Sequence, residues 1–295
     1  MRKRFKDYIK PDTLEGVFSS IENAPDESQI IAGGTDLLLE RSAKIEKGKK
    51  ILIDIGGIED ISKITIKDKE LAIGAGVKLA DIECSKLVRE DFPILVQGVK
   101  EVGSPQIRNL ATIGGNLCNG SPAADTVPAL LVLDAIVEIA SSQGVRDVPL
   151  TEFHMGPSQT ILNRNEILTL VKIPEMEKAF SGNYHKLKTR EALDLAFVGV
   201  AVLLIDHRDT IEARIGLGAV SPIPFRSVEA EKYLNNSQDF SDKSLWHAAE
   251  IAANSSSPIS DVRCSAEYRH EMVKNMTYQS LRKNLDQLRG ALIDD

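Results

Sequence analysis

Cysteine is scarce in this chain of 295 residues, and the three present, Cys84, Cys118 and Cys264, are far apart with no C-x-x-C pair. Such spacing supports neither a disulfide framework nor a self-contained iron–sulfur or zinc site. Three free thiols fit a reducing, cytoplasmic setting. Positive charge is also in deficit: 36 Lys and Arg against 43 Asp and Glu leave a formal net charge of −7. A nucleic-acid binder needs a basic footprint to displace counterions, so that class is disfavoured. The basic cluster Lys47, Lys49 and Lys50 lies between two apolar segments and reads as a solvated turn. Long apolar runs are missing too. The longest, Leu195 to Ile205, falls well short of the roughly 20 residues that cross a bilayer, and reads as a buried strand. Met1 to Lys10 is basic with no apolar run behind it, so no secretory signal is expected.

What remains is an ordinary globular composition, 42% apolar and 27% charged, long enough for two or three modest domains. Thr13 precedes Leu14, Val17, Phe18 and Ile21, an apolar stripe at helical spacing behind a capping residue. Gln29 to Ala32 is β-prone and stops at Gly33-Gly34; Leu37 to Arg41 resumes helical character, and Ile51 to Ile55 reads as a strand. Ile64/Ile66 and Leu71/Ile73/Ala75 alternate with polar residues, predicting a hairpin. Helices are expected around Leu79 to Val88, from Pro93 to Val102, and over Val127 to Leu133, with a long irregular segment from Gly103 to Ala123. Ile136 to Ala140 and Ile167 to Ile173 read as strands. Ile211 to Ala219 alternates and pairs with the Leu195–Ile205 strand across His207-Arg208-Asp209. From Val228 the pattern is helical, interrupted at Ser255-Ser256-Ser257-Pro258. No internal repeat is evident.

Two segments carry a chemical suggestion: Ile31-Ala32-Gly33-Gly34-Thr35-Asp36 and Ala111-Thr112-Ile113-Gly114-Gly115-Asn116. Paired glycines permit positive φ and close backbone approach to a ligand. Successive N–H groups then form a concavity suited to a phosphate oxygen, and Thr35 and Thr112 can add hydroxyl donors. Gly-Gly is equally ordinary turn punctuation, and the residues alone leave both readings open. The common phosphate motifs are absent. There is no G-x-x-x-x-G-K-[ST], and Gly216-x-Gly218 lies in an alternating strand without a third glycine or a following helix.

The pair I-A-G-G-T-D and A-T-I-G-G-N, with Gly103 to Asn109 ahead of the second loop and Ser121 to Asp125 after it, resembles the FAD-binding medium subunit of the xanthine dehydrogenase and carbon monoxide dehydrogenase family. The likeness runs over essentially the whole chain. It implies an α+β fold: a two-subdomain FAD-binding unit of the vanillyl-alcohol-oxidase (PCMH) type, 1–56 and 57–176, then a C-terminal domain of antiparallel sheet plus helices, 177–295. By the same resemblance Gln29, Ile30, Ile31, Ala32, Gly33, Gly34, Thr35 and Asp36 form the first pyrophosphate segment, and Thr112, Ile113, Gly114, Gly115 and Asn116 the second. Asp125 matches a carboxylate on the FAD sugar hydroxyls, Leu168 a backbone contact near the adenine, and Lys186 a lysine beside FAD. Leu195, in the loop Arg190 to Leu195, matches a residue shielding the isoalloxazine. From the residues alone, Asp125 is equally a helix N-terminal acid, Lys186 a solvated strand lysine, and Leu195 the first core residue of the next strand.

The implied function is that of an FAD-carrying electron-transfer subunit of a molybdenum hydroxylase. Molybdopterin and [2Fe–2S] clusters would lie only on a large and a small partner subunit of a heterotrimer. Electrons would pass from those clusters through this flavin to NAD or another acceptor. None of the five histidines falls in a glycine motif, so FAD is expected to be non-covalent. No residue is assigned a catalytic or metal-binding role. The rival is an autonomous FAD-dependent oxidoreductase of similar fold; a nucleotide-binding regulatory module and a scaffold with degenerate loops stand further off. The substrate, the acceptor and the number of heterotrimers in an assembly stay open.

Overall fold

The computed structural model describes residues 5–39, 50–67, 69–176 and 179–291. Arg41, Lys47 and Lys49 lie outside them, and Leu37 to Leu39 are a turn rather than the expected helix.

The chain opens on a small parallel sheet of β1 (Asp7–Ile9), β2 (Ser28–Ile31) and β3 (Ile51–Asp54), ordered β1-β3-β2. Helix α1 (Leu14–Asn23) starts where Thr13 accepts from the Gly16 N–H at 3.2 Å, and buries Val17 and Ile21 against Ile53 and Ile55. The predicted hairpin follows as β4 (Ile64–Lys67) and β5 (Glu70–Gly74). Helices α2 (Leu79–Cys84), α3 (Lys86–Asp91) and α4 (Pro93–Lys100) come next.

The segment expected to be irregular contains two short helices, α5 (Pro105–Arg108) and α6 (Ile113–Asn119). Ser104 caps α5; in α6 Gly114 and Gly115 are poor helix formers, and the Thr112 cap supplies what propensity lacks. Helix α7 (Thr126–Val132) is wholly buried. Strands β6 (Ile136–Ser141), β7 (Gly144–Pro149), the small pair β8 (His154–Gly156) and β9 (Gln159–Thr160), and β10 (Ile167–Ile173) complete this part. Its antiparallel sheet has the order β4-β5-β10-β6-β7.

The C-terminal sheet is an antiparallel meander of β11 (Phe180–Leu187), β12 (Val198–Asp206), β13 (Ile211–Gly218) and β14 (Phe225–Arg226). Helices α8 (Val228–Ser237), α9 (Asp242–Asn254) and α10 (Ala266–Ala291) cover one face. The apolar run of β12 has a two-sided cause. Val198, Val200, Val202 and Leu204 face the helices, while Ala201, Leu203 and Ile205 join the core around α4 and α7. Alternation is invisible in the sequence because both faces are buried. Each such Val, Leu or Ile side chain contributes roughly 1.5–3 kcal/mol. The strand begins at Val198, so Leu195 is not its first core residue but an exposed loop residue.

The first half of β11, polar and Gly-containing, carries no apolar alternation that marks a strand. Its Ser181 and Asn183 face α10 through a buried polar ladder: Ser181 Oγ donates to Asn284 Oδ1 at 3.2 Å and Asn284 Nδ2 to Asn183 Oδ1 at 2.7 Å.

Candidate functional site

A cavity of about 650 Å³ opens where the two glycine loops meet, and is closed by the 121–125 segment, the start of β10 and the 193–195 loop. That size lies within the roughly 300–1,000 Å³ typical of ligand sites. The loops touch through backbone. A Cβ on Gly33 would stand 2.1 Å from the Leu110 carbonyl oxygen and 2.9 Å from Ala111 Cα. Gly34, at φ +70°, occupies the left-handed region that glycine enters without cost. These two glycines therefore do separate jobs.

The loops also differ in what they offer a ligand. Among the described residues, the N–H groups of Ala32, Gly33, Gly34 and Thr35 have no acceptor in the protein. Four successive unpaired donors at a cavity wall form an anion-receptive concavity. From Ile113 to Asn116 the second loop has spent its donors. Ile113 N–H donates to the Val77 carbonyl at 3.0 Å, Gly114 N–H to the Ala75 carbonyl at 2.9 Å, and Gly115 N–H to Thr112 Oγ1 at 3.1 Å. Neither Gly114 nor Gly115 has a positive φ. This segment is the first turn of α6 stitched to the chain after β5, and it presents side chains. Asn116 is fixed by the Thr126 hydroxyl, which donates to Oδ1 at 2.5 Å.

Asp125 lines the cavity with both oxygens already engaged. The Tyr184 hydroxyl donates to Oδ1 and Lys186 Nζ to Oδ2, each at 2.8 Å. Burial pushes this carboxyl up to about 6, against the opposing pull of Lys186 and Tyr184. The same burial, with Asp125 beside it, drives the Tyr184 phenol well above its ordinary value. Lys186 is 2% exposed at its side chain, so it is a buried ion-pair partner and not a solvated strand lysine.

The 188–195 loop is folded around Asp194. Its Oδ2 accepts from the Thr189 N–H and hydroxyl, each at 2.7 Å, and from the Arg190 N–H at 2.9 Å. The Thr189 hydroxyl, ahead of the Arg190 amide, holds the Asp194 carboxyl well below the usual carboxylate range. The loop thereby presents Leu193, at φ +56°, and Leu195 at the cavity wall, both more than half exposed.

Of the residues singled out from the sequence, Gln29 to Asp36, Thr112, Gly114, Gly115, Asn116, Asp125, Leu168 and Leu195 line the cavity. Ile113 is packed into the core behind it, and Lys186 reaches it only through Asp125. Sequence reasoning missed Cys118, Ser158, Leu162 and Glu166 on the wall. Glu166 is held by a two-point contact from Arg146, both bonds at 2.9 Å, a pairing 20 residues apart that carries no local signal. Cys118 is an exposed thiol on the cavity wall.

Comparison with known proteins places this geometry. Residues 3–176 match the family model described as FAD binding domain in molybdopterin dehydrogenase, and 183–284 match the CO dehydrogenase flavoprotein C-terminal domain. A xanthine dehydrogenase FAD-binding subunit of Escherichia coli O157:H7 is 31% identical over 276 residues, covering 92% of this chain and 94% of that one. The nicotinate dehydrogenase FAD-subunit of Eubacterium barkeri is 31% identical over 293 residues, covering 97% and 98%. A solved structure of carbon monoxide dehydrogenase from Hydrogenophaga pseudoflava superposes with a TM-score of 0.91 at 27% identity, covering 97% of this chain and 99% of that one. With four unpaired amides at the meeting point of two glycine loops and residues 3–176 matched, the chain belongs to the FAD-binding family of the molybdopterin dehydrogenases.

Proposed function

We propose that this chain is the FAD-carrying, electron-transfer subunit of a molybdenum hydroxylase complex. In this reading it works with a large molybdopterin-binding subunit and a small [2Fe–2S] subunit, in a cytoplasmic heterotrimer. The observation that carries the reading is the run of four unpaired amides from Ala32 to Thr35 on a cavity of cofactor size. A pyrophosphate offers acceptors to match such a run.

The residues fit FAD in a definite division of labour. The first loop, Gln29 to Asp36, holds the pyrophosphate through backbone. The second, Thr112 to Asn116, lies along the same group and the adjoining chain through the Thr112 hydroxyl and the Asn116 amide, since the N–H groups of Ile113 to Asn116 are committed. Asp125 accepts from cofactor hydroxyls, and Leu168 borders the adenine end. Leu195, on a loop that Asp194 keeps in shape, covers a ring face. Ile113 and Lys186 act one layer back, by packing and by pairing with Asp125. When bound, FAD supplies electron transfer between the clusters of the small subunit and an acceptor, NAD or another. The protein supplies binding, orientation and electrostatics.

The division at 1–56, 57–176 and 177–295 belongs to the same reading, and three separate main sheets support it. Among the described residues no helix is long and apolar enough to cross a membrane.

The test is to purify the chain from its natural source without dissociating it, and to record its visible spectrum and its co-purifying polypeptides. A flavin spectrum with two further subunits, one bearing iron–sulfur and one molybdenum, is expected. A flavin-free chain, or one that oxidises an organic substrate unaided, defeats the reading.

A further inference from the structure

Both donors to Asp125 come from one strand. Tyr184 and Lys186 are i and i+2 on β11, so they project from the same face. Each donor is itself pinned. The Tyr184 N–H donates to Gln97 Oε1 at 2.8 Å, and Lys186 Nζ donates to the Glu101 carbonyl at 3.0 Å. Behind the phenol stands Gly199 on β12, where a Cβ would come within 2.8 Å of the Tyr184 oxygen. The hydroxyl thus has one place to be, and its proton one acceptor. An ionised carboxylate has about four lone-pair sites. Two are taken from below by β11, while Asp125 itself lines the cavity.

We propose that Tyr184 and Lys186 are positioning residues that hold Asp125 ionised and aimed at a hydroxyl group of the cofactor, so that protonation of Asp125 loosens the cofactor. The proposal rests on the reading of this cavity as the FAD site. The groups facing Asp125 are Lys186 and Tyr184 from β11 and Glu101 after α4, which is paired with Lys188 at 2.5 Å; α6 and α7 bring the uncharged Asn116–Thr126 pair. The sign follows from the bond. A hydroxyl donating to Asp125 favours its ionised form, so bound cofactor lowers its proton affinity. Retention is then full above the range near 6 where the carboxyl titrates, and falls as pH drops through it.

The test uses the full-length chain loaded with FAD at pH 8. Released flavin is measured by fluorescence after ultrafiltration at steps down to pH 4.5, and the melting temperature is followed in parallel. Wild type should release flavin with a midpoint near or below 6. Tyr184→Phe removes one donor to the carboxylate, so its midpoint should rise by about one pH unit. Gly199→Ala, which displaces the phenol without contact to Asp125, should move it the same way. Asp125→Asn should hold flavin weakly and without pH dependence in this range. A lowered melting temperature with an unmoved midpoint in Tyr184→Phe would mean a structural role only, and overturns the proposal. So does a wild-type profile that is flat with pH. Should Tyr184→Phe not fold, the Gly199→Ala and Asp125→Asn profiles decide alone. Failure of wild type to take up FAD at pH 8 instead removes the cofactor reading beneath the proposal, and the proposal with it.

Discussion

Gly33 is pressed against the carbonyl of Leu110, so the first glycine of one loop is the contact point with the chain entering the other. The residue is thus needed for loop-to-loop packing before any ligand arrives. Gly115 is different: a Cβ there would meet only the hydroxyl of Thr112, at 2.9 Å, and Gly115 lines the cavity.

These two glycines should therefore fail differently when substituted. Gly33→Ala forces the loops apart and should destabilise the whole chain by about 1–3 kcal/mol while losing flavin. Gly115→Ala should keep a near-wild-type melting curve and bind flavin roughly tenfold more weakly. Circular dichroism melts beside flavin-to-protein ratios distinguish the two. Wild-type flavin content in Gly115→Ala would remove the second loop from the site.

Among the described residues no histidine lines the cavity, and Cys118, exposed on its wall, has no neighbouring charge that lowers its thiol's pKa. A thiol without such activation is a poor nucleophile at neutral pH. Flavin should accordingly leave the protein on acid precipitation and appear in the supernatant. Flavin carried down with the pellet would establish a covalent link.

How far the sequence reached can be judged residue by residue. The glycine loops were visible because each breaks a β-prone run with paired glycines, and α1 because Thr13 caps a clean apolar stripe. Tyr184 was invisible because β11 turns Ser181 and Asn183 toward a polar ladder on α10, which erases the apolar alternation that marks a strand. Lys186 read as solvated because its partner is 61 residues away. The unequal state of the two loops was equally hidden. Whether an N–H is spent depends on Ala75 and Val77, which only the fold brings alongside. α6 was lost to the low helix propensity of glycine, which capping overrides, and α5 is a single turn too short to show a period.

Asp194 organises the loop that carries Leu193 and Leu195. Asp194→Ala should free the Thr189 and Arg190 amides and raise hydrogen exchange over 189–195, with flavin content little changed. Because its carboxyl sits below the ordinary range, the ordering it provides is present above about pH 4 and is lost as pH falls toward the folded value. Unchanged exchange in the variant would mean that the loop is held by Lys188 and Arg190 instead.

The isolated, flavin-loaded chain should accept electrons from dithionite but not from purines, aldehydes or N-heterocycles. Anaerobic mixing while watching the oxidised-flavin band is the measurement. Bleaching by any of these compounds with no other subunit present would identify a complete enzyme.

One strand ties the chain into a single melting unit. Since β12 sends alternate side chains into two cores, neither core can be dissolved without unroofing the other. A fragment ending near residue 176 would leave the apolar sides of α4 and α7 facing water, a surface that invites aggregation. During synthesis the first half must therefore wait, half-finished, for a strand that emerges only after about two thirds of the chain has been made. That interval is where an incomplete chain is most vulnerable to misassembly.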